Sequence, residues 1–239
     1  MGTTTSATVP DEGSTAFPTA SRLWHGVLLT VVLTAVGMDL VLLFSGGPDP
    51  NSAEAATDDS TLSRLVRMFS FFTIDSNVLV AVVCVLLIRD PRRDGRLWRV
   101  LRFAALLSIV VTGLVFAIVL APKVHLQGMA LAATIGLHYI APPAALIGWL
   151  LFGPRGQTDL RTLLWVFVWP AAWIGYTLIH GAFVDWYPYP FLEVFRLGYP
   201  RVLVNVLVIL LVAVVITLVL ALLDRLLVAR RRRTGRPRP

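Results

Sequence analysis

The sequence contains a single cysteine and few charged residues. Cys84 is that cysteine, so no disulfide can form between two of the 239 residues. Charged residues make up 15% of the positions and hydrophobic residues 56%, whereas soluble domains are about 25% charged. The mean hydropathy is +0.76. This composition excludes an ordinary soluble domain and indicates an integral membrane protein.

The sequence also lacks the basic start of a secretory signal peptide. Residues 1–21 consist mostly of Thr, Ser, Ala, Pro and Gly, a composition that cannot build a hydrophobic core. The first apolar run begins near Leu23 and is too long for the core of a signal peptide. We therefore expect residues 1–21 to form a disordered tail that precedes the membrane-embedded part.

Six apolar stretches reach the roughly 20 residues that a helix needs to cross a hydrocarbon core of about 30 Å. They cover residues 23–45, 67–88, 98–121, 128–152, 160–182 and 201–227. The sequence therefore predicts an all-α, polytopic membrane protein. Residues 22–227 form its domain of six transmembrane helices, and residues 228–239 form a basic tail.

Arginine is concentrated in alternate connectors, and Lys123 is the only lysine. The second connector and its margins contain Arg89, Arg92, Arg93, Arg96, Arg99 and Arg102, and the C-terminal end contains Arg225, Arg230, Arg231, Arg232, Arg233, Arg236 and Arg238. The positive-inside rule then places both termini in the cytoplasm. We expect the tail to contact anionic lipid headgroups, and no nucleic-acid partner is predicted.

The fourth stretch carries a histidine beside two prolines. An ionisable side chain at membrane depth is costly, which makes His138 a candidate functional residue. Pro142 and Pro143 have no N–H group, so the carbonyls of His138 and Tyr139 lose their helical partners. We expect a kink beside His138 that leaves polar atoms in need of partners. A packing helix whose histidine bonds to a neighbour is the alternative.

The second stretch carries a polar face near its outer end. Thr73, Ser76 and Asn77 follow helical spacing and share that face, whereas Asp75 points elsewhere. From the helical rise, Thr73 lies roughly 10 Å and His138 roughly 15 Å below the outer edge. Thr73 and His138 can therefore meet if their helices are neighbours. A hydroxyl bonded back to its own helix is the alternative for Thr73.

Further polar residues lie in the same outer half. They are Asp39, Asp75, Tyr176, His180 and Asn205, and interhelical hydrogen bonds can satisfy all of them. His138 and His180 differ in depth by roughly 12 Å, which argues against a shared haem. Neither a metal site nor a cofactor is predicted. The loop 185–193 is rich in aromatic residues and proline, and it suits either an interfacial belt or a lid over a site.

Three stretches together resemble the androgen-induced-gene family of multi-pass membrane proteins, and more closely its bacterial relatives, the Pr-six-Pr family. They are Phe-Thr-Ile-Asp-Ser-Asn at 72–77, His138 with Pro143 five residues on, and Tyr-Pro-Phe-Leu-Glu at 189–193. Asn205 also matches an asparagine of the last helix of that family. The resemblance covers residues 23–227 and implies a bacterial plasma-membrane protein. The eukaryotic members hydrolyse fatty acid esters of hydroxy fatty acids with a threonine and a histidine, which fall on Thr73 and His138.

The resemblance implies that Thr73 is a nucleophile and that His138 is its base. Ser76 is a rival nucleophile, and Asn77, Ser76 or a backbone N–H is the expected oxyanion donor. Two other interpretations stay open. The chain could bind a lipid or a small apolar ligand without catalysis, or it could be a carrier that uses Asp39, Asp75 and Pro142. In each case membrane lipids are the expected partners.

Overall fold

The computed structural model describes residues 12–49, 51, 60–153 and 155–233. Within that part the chain is helical without strands, and six helices are long and apolar enough to cross a membrane. We number these spans 1 to 6: Pro18–Ser45, Phe72–Arg89, Arg96–Lys123, Gly128–Phe152, Leu160–Val184 and Val194–Arg230. The predicted fold class is confirmed.

The helix of span 1 begins earlier than the sequence suggested. It runs over Glu12–Ser45, so residues 12–21, for which a disordered tail was expected, belong to this helix, while residues 1–11 lie outside the described part. Adding a residue to an existing helix fixes only that residue and gains one hydrogen bond, so a long apolar helix readily extends into its polar flank. Within this extension, Nδ1 of His25 also forms a hydrogen bond with the carbonyl oxygen of Ser21, at 2.7 Å.

Span 2 begins five residues later than predicted because the chain breaks at Phe71. One helix covers Thr61–Ser70 and the next covers Phe72–Arg89, with Phe71 extended between them at φ −75° and ψ 126°. Side chains of span 5 satisfy the polar atoms at the break. The indole of Trp173 donates to the carbonyl of Ser70 at 3.1 Å, and the hydroxyls of Ser70 and Tyr176 are 2.8 Å apart.

Beside His138, where the sequence predicted a kink, the structure has a π-helical turn over Ile135–Ile140. The α-helix resumes as Ala141–Phe152, and the N–H of Ala141 donates to the carbonyl of Gly136, five residues back. Since prolines at 142 and 143 cannot donate, the turn changes register there without ending the span. Span 3 has a second π turn at Phe116–Leu120, just before Pro122.

Spans 5 and 6 are also interrupted. Span 5 consists of the helices Leu160–Trp165 and Val168–Val184. The last helix covers Val194–Arg233 and bends at Gly198, whose φ of 73° is available to glycine. Span 6 therefore begins seven residues before the predicted start at residue 201. The predicted tail is helical up to Arg233, and residues 234–239 lie outside the described part.

Spans 1 to 4 pack together as the core of the protein, and spans 5 and 6 lie against span 3. Glycines allow the closest approaches. A Cβ atom on Gly136 would lie 2.7 Å from the Cβ of Ala35 in span 1, and one on Gly113 would lie 2.8 Å from Pro142. This arrangement brings the π turn of span 4 close to spans 1 and 3. It also leaves apolar space on two sides of span 5.

Candidate functional site

The structure brings together the two residues that the sequence singled out. The Oγ1 atom of Thr73, in the first turn of span 2, lies 3.1 Å from Nε2 of His138 in span 4. Both side chains are buried. The helix break at Phe71 places Thr73 in the first turn of the helix Phe72–Arg89, whereas the sequence placed it roughly 10 Å below the outer edge of a span that begins at residue 67. The contact nevertheless forms, and His138 makes it from within the π turn of span 4.

The imidazole of His138 is fixed on its other side. Its Nδ1 lies 3.2 Å from the carbonyl oxygen of Thr134. A carbonyl can only accept, so Nδ1 carries the proton and Nε2 of the neutral ring is the acceptor that faces Thr73. The ring also stacks on Phe116, with centroids 3.8 Å apart. The arrangement has the geometry of a hydroxyl nucleophile, a histidine base and an orienting acceptor.

Tyr189 is a third member of the site that the sequence did not single out. Its hydroxyl oxygen lies 3.2 Å from the backbone nitrogen of Thr73 and 3.3 Å from Oγ1 of the same residue. Burial raises the pKa of Tyr189 to about 12, against the opposing effect of the hydrogen bonds with Thr73. The phenol therefore stays neutral near pH 7 and keeps a proton to donate. The feature of the sequence that could have indicated Tyr189 is its position in a loop rich in aromatic residues.

The loop 185–193 behaves as a lid and not as an interfacial belt, because Tyr187, Tyr189 and Leu192 are buried. Asp185 begins the turn in the left-handed region, at φ 53°. The ring of Tyr187 then packs directly on Gly181, where a Cβ atom would lie 2.1 Å from the ring.

The far end of the lid is also tied to the bundle. The amide of Asn205, in span 6, donates to the carbonyl of Phe191 at 2.8 Å. Phe191 in turn stacks on Tyr189, with ring centroids 5.1 Å apart and the planes within 4° of parallel. The two ends of the loop are thus held by spans 5 and 6, which fixes Tyr189 over Thr73.

An apolar pocket adjoins Thr73 and lies between spans 3, 5 and 6 and the lid. It holds about 730 Å³ of empty space, part of it open to the surroundings. The polar side chains on its wall are those of Thr73, Ser108, Thr112 and Tyr189, and the rest are mostly apolar. His138 is not on the wall and lies behind Thr73. The hydroxyl of Ser108 has no hydrogen-bond partner among the described residues.

Ser76 and Asn77 are buried but engaged elsewhere. The hydroxyl of Ser76 accepts a hydrogen bond from Thr112 at 3.2 Å. The amide nitrogen of Asn77 donates to the carbonyl of Thr73 at 2.9 Å and more weakly to that of Leu137 at 3.4 Å. Asn77 therefore ties span 2 to the π turn of span 4. Neither residue lines the pocket, so both support the site from behind.

The other predicted polar residues do not join Thr73 and His138. Asp39 is buried and accepts from Asn51 at 3.4 Å. Asp75 is half-buried, and no described residue forms a hydrogen bond with its carboxylate. Tyr176 contacts Ser70 and stacks with His180, with centroids 5.3 Å apart.

Among the described residues, no group of three His, Cys, Asp or Glu side chains is arranged as metal ligands would be. The polar contacts of the site are instead made by hydroxyl, imidazole and amide groups of its own residues. The chain was also compared with known proteins. No protein-family model, curated protein or solved structure matches it.

Proposed function

We propose that this protein is an intramembrane hydrolase of lipid esters, with Thr73 as nucleophile and His138 as base. The observation that carries the proposal is the 3.1 Å contact between Thr73 Oγ1 and His138 Nε2 beside an apolar pocket. A buried threonine and histidine can also meet for packing alone. Here the histidine is held in the tautomer that accepts a proton, and Thr73 lines the pocket.

In the proposed reaction the Oγ1 atom of Thr73 attacks the carbonyl carbon of the ester while its proton moves to Nε2 of His138. The tetrahedral intermediate collapses, the bond to the alcohol oxygen breaks, and His138 returns the proton to the departing alcohol. A water molecule then attacks the acyl-threonine and gives its proton to His138. The bond between the acyl carbon and Oγ1 then breaks, His138 returns the proton to Oγ1, and the fatty acid is released.

Tyr189 is the donor best placed to stabilise the oxyanion. Its hydroxyl lies 3.3 Å from Thr73 Oγ1, and Tyr189 lines the same pocket. The negative charge develops on the carbonyl oxygen of the ester, which is bonded to the attacked carbon and lies within reach of such a donor. The donors of Asn77 are taken up by two carbonyl groups, and Ser76 is bonded to Thr112.

The pocket favours a substrate with a long acyl chain. Its walls include Leu107, Val111, Trp173 and Leu210. Burying apolar surface contributes about 25 cal/mol per Å², so each methylene that enters adds to binding. A water-soluble ester with a short acid part would gain little there.

The arginine-rich connectors and tail support an orientation with both termini in the cytoplasm of a bacterial plasma membrane. In that orientation Thr73, the lid and the pocket mouth belong to the outer half of the membrane. The tail would contact anionic headgroups of the inner leaflet.

Binding of a lipid or small apolar ligand without catalysis is the second candidate. One observation favours it, namely the unpartnered hydroxyl of Ser108 on the pocket wall, 1% exposed. A buried hydroxyl without a partner is costly, and a polar atom of a bound ligand would satisfy it.

Labelling of the purified protein with a long-chain fluorophosphonate probe distinguishes the two candidates. The hydrolase predicts labelling of Thr73, loss of labelling in Thr73→Val and His138→Ala, and its retention in Thr73→Ser. Ser76→Ala is the matched control, since Ser76 lies one turn away on the same helix and should keep its labelling. Labelling that is absent from the folded protein, or lost only in Ser76→Ala, would contradict the proposed nucleophile.

A further inference from the structure

A second apolar groove lies on the other side of span 5, away from Thr73. It is formed by spans 2, 3 and 5 and contains about 1020 Å³ of empty space, part of it open to the surroundings. The groove reaches from the arginine-rich connector towards the middle of the membrane. Leu97, Leu101 and Ala104 of span 3 face it, at a spacing that follows one side of a helix.

The end of the groove at the membrane surface carries a positive charge that no acid of the described residues neutralises. Arg93 lines the groove, and its guanidinium lies 5.6 Å from the ring centroid of Trp98. The nearby carboxylate of Asp94 is instead paired with Arg99 at 2.6 Å. That pairing, chiefly through hydrogen bonds, lowers the pKa of Asp94 to about 2. Asp94 therefore stays ionised and bound to Arg99.

Trp98 provides a second polar group beside Arg93. Its side chain is 5% exposed, and its indole N–H has no acceptor among the described residues. Trp98 is the third residue of span 3, about 3 Å along the helix from Arg96. Tryptophan at this level of a membrane protein meets the headgroup region, where ester carbonyls act as acceptors.

The length of the groove suits one acyl chain. Its wall runs from Leu97 to Ala104 in span 3 and from Trp165 to Ala172 in span 5. Seven residues of helix correspond to about 10 Å, which is a large part of one leaflet of a hydrocarbon core of about 30 Å. A two-chain lipid would place one chain here and keep the other in the bilayer.

We propose that this groove is a binding site for an anionic phospholipid of the leaflet on the arginine-rich side. Arg93 contacts the phosphate, the indole N–H of Trp98 donates to an ester carbonyl, and one acyl chain lies along Leu101 and Ala104 against span 5. The bound lipid fills the space between span 5 and spans 2 and 3. This site is separate from the pocket at Thr73 and does not depend on the proposed hydrolysis.

Native mass spectrometry of the protein in mild detergent tests the proposal, with phosphatidylglycerol and phosphatidylcholine of equal chain length added in turn. We expect one phosphatidylglycerol to bind per chain in preference to phosphatidylcholine. Arg93→Gln should weaken that binding about fivefold, the effect of removing one arginine at a membrane surface. Arg96→Gln is the matched control, because Arg96 is exposed in the same segment and does not line the groove.

A second variant fills the groove without changing a charge. Ala172 is exposed on the groove wall, so Ala172→Phe should exclude the acyl chain while the protein stays folded, as checked by its thermal unfolding. Loss of bound phosphatidylglycerol in Ala172→Phe and in Arg93→Gln, but not in Arg96→Gln, supports the site. Equal binding of both lipids, or binding that neither variant weakens, would overturn it.

Discussion

The phenol oxygen of Tyr189 lies within hydrogen-bonding distance of two atoms of Thr73, its backbone nitrogen at 3.2 Å and its Oγ1 at 3.3 Å. These residues are 116 positions apart in the sequence. The contact couples the lid to the first turn of span 2. Any change that moves the lid should therefore alter the environment of Thr73.

Tyr189→Phe tests the role of the phenol. If Tyr189 donates to the oxyanion, its removal should slow the reaction of Thr73 with the long-chain fluorophosphonate probe about 10²- to 10³-fold, as for other single oxyanion donors. The slope of labelling rate against probe concentration, measured by mass spectrometry, reports this effect. Tyr199→Phe is the control, since Tyr199 is 51% exposed. An unchanged rate in Tyr189→Phe would leave the lid with a packing role only.

The pH dependence of Tyr189 has a defined sign. An ordinary tyrosine has a pKa of 10.0, and burial raises that of Tyr189 to about 12. The folded state thus prefers the neutral phenol. Its stability should fall as the pH rises from about 10 to about 12, because only the unfolded chain ionises freely there. Below pH 9 this residue should contribute no pH dependence to either stability or rate.

Ultraviolet absorbance of phenolate checks that expectation. In an alkaline titration, the difference between the wild-type protein and Tyr189→Phe should show one tyrosine that ionises near pH 12. A difference spectrum that titrates near pH 10 would mean that Tyr189 is exposed to solvent, contrary to its buried position.

Gly181→Ala tests how the lid is held. A Cβ atom there would lie 2.1 Å from the ring of Tyr187, so the ring and the loop must move. We expect the free energy of unfolding to fall by about 1–3 kcal/mol, as in other overpacked sites, and labelling of Thr73 to decrease. Gly175→Ala in the same helix is the control, because nothing lies within 4 Å of its Cβ position. Gly175→Ala should leave the free energy of unfolding unchanged or raise it, since alanine favours the helix by up to about 1 kcal/mol.

Gly113→Ala probes the packing of span 3 on span 4. Its Cβ atom would lie 2.8 Å from two carbons of Pro142, a ring that cannot rotate away. The thermal unfolding temperature should drop, and His138 should be displaced because it belongs to the adjacent π turn. A Cβ atom on Gly37 in span 1 would meet nothing within 4 Å. Gly37→Ala should therefore leave the unfolding temperature and the position of His138 unchanged. Equal behaviour of the two variants would mean that the helices separate easily at this contact.

The six spans could be predicted from the sequence, and so could the meeting of Thr73 with His138, on the condition that their helices are neighbours. Apolar length alone indicates a membrane helix, and the depth of a polar residue follows from the helical rise. His138 beside two prolines also pointed to a local change of helix geometry. The spans and the change of helix geometry depend on residues that are close together in the chain. The meeting of Thr73 with His138 was predicted from the depth of each residue along the membrane normal.

The break at Phe71 and the role of Tyr189 could not be predicted in the same way. Residues 67–72 read as a continuous helix, and the break depends on donors such as Trp173, 103 residues away from Ser70. The tie between Asn205 and the carbonyl of Phe191 likewise exists only after folding. No pattern in the sequence indicated that Ser76 would be bonded to Thr112 and would not line the pocket.

The break at Phe71 has a further consequence, because it makes Thr73 the second residue of the helix Phe72–Arg89. Aligned peptide dipoles place about half a positive charge at such an N-terminus, and this favours anions. In the proposed reaction the ester and the alcohol are neutral, whereas the fatty acid leaves as a carboxylate. The acid should therefore dissociate more slowly than the alcohol, and free fatty acids should act as competitive inhibitors.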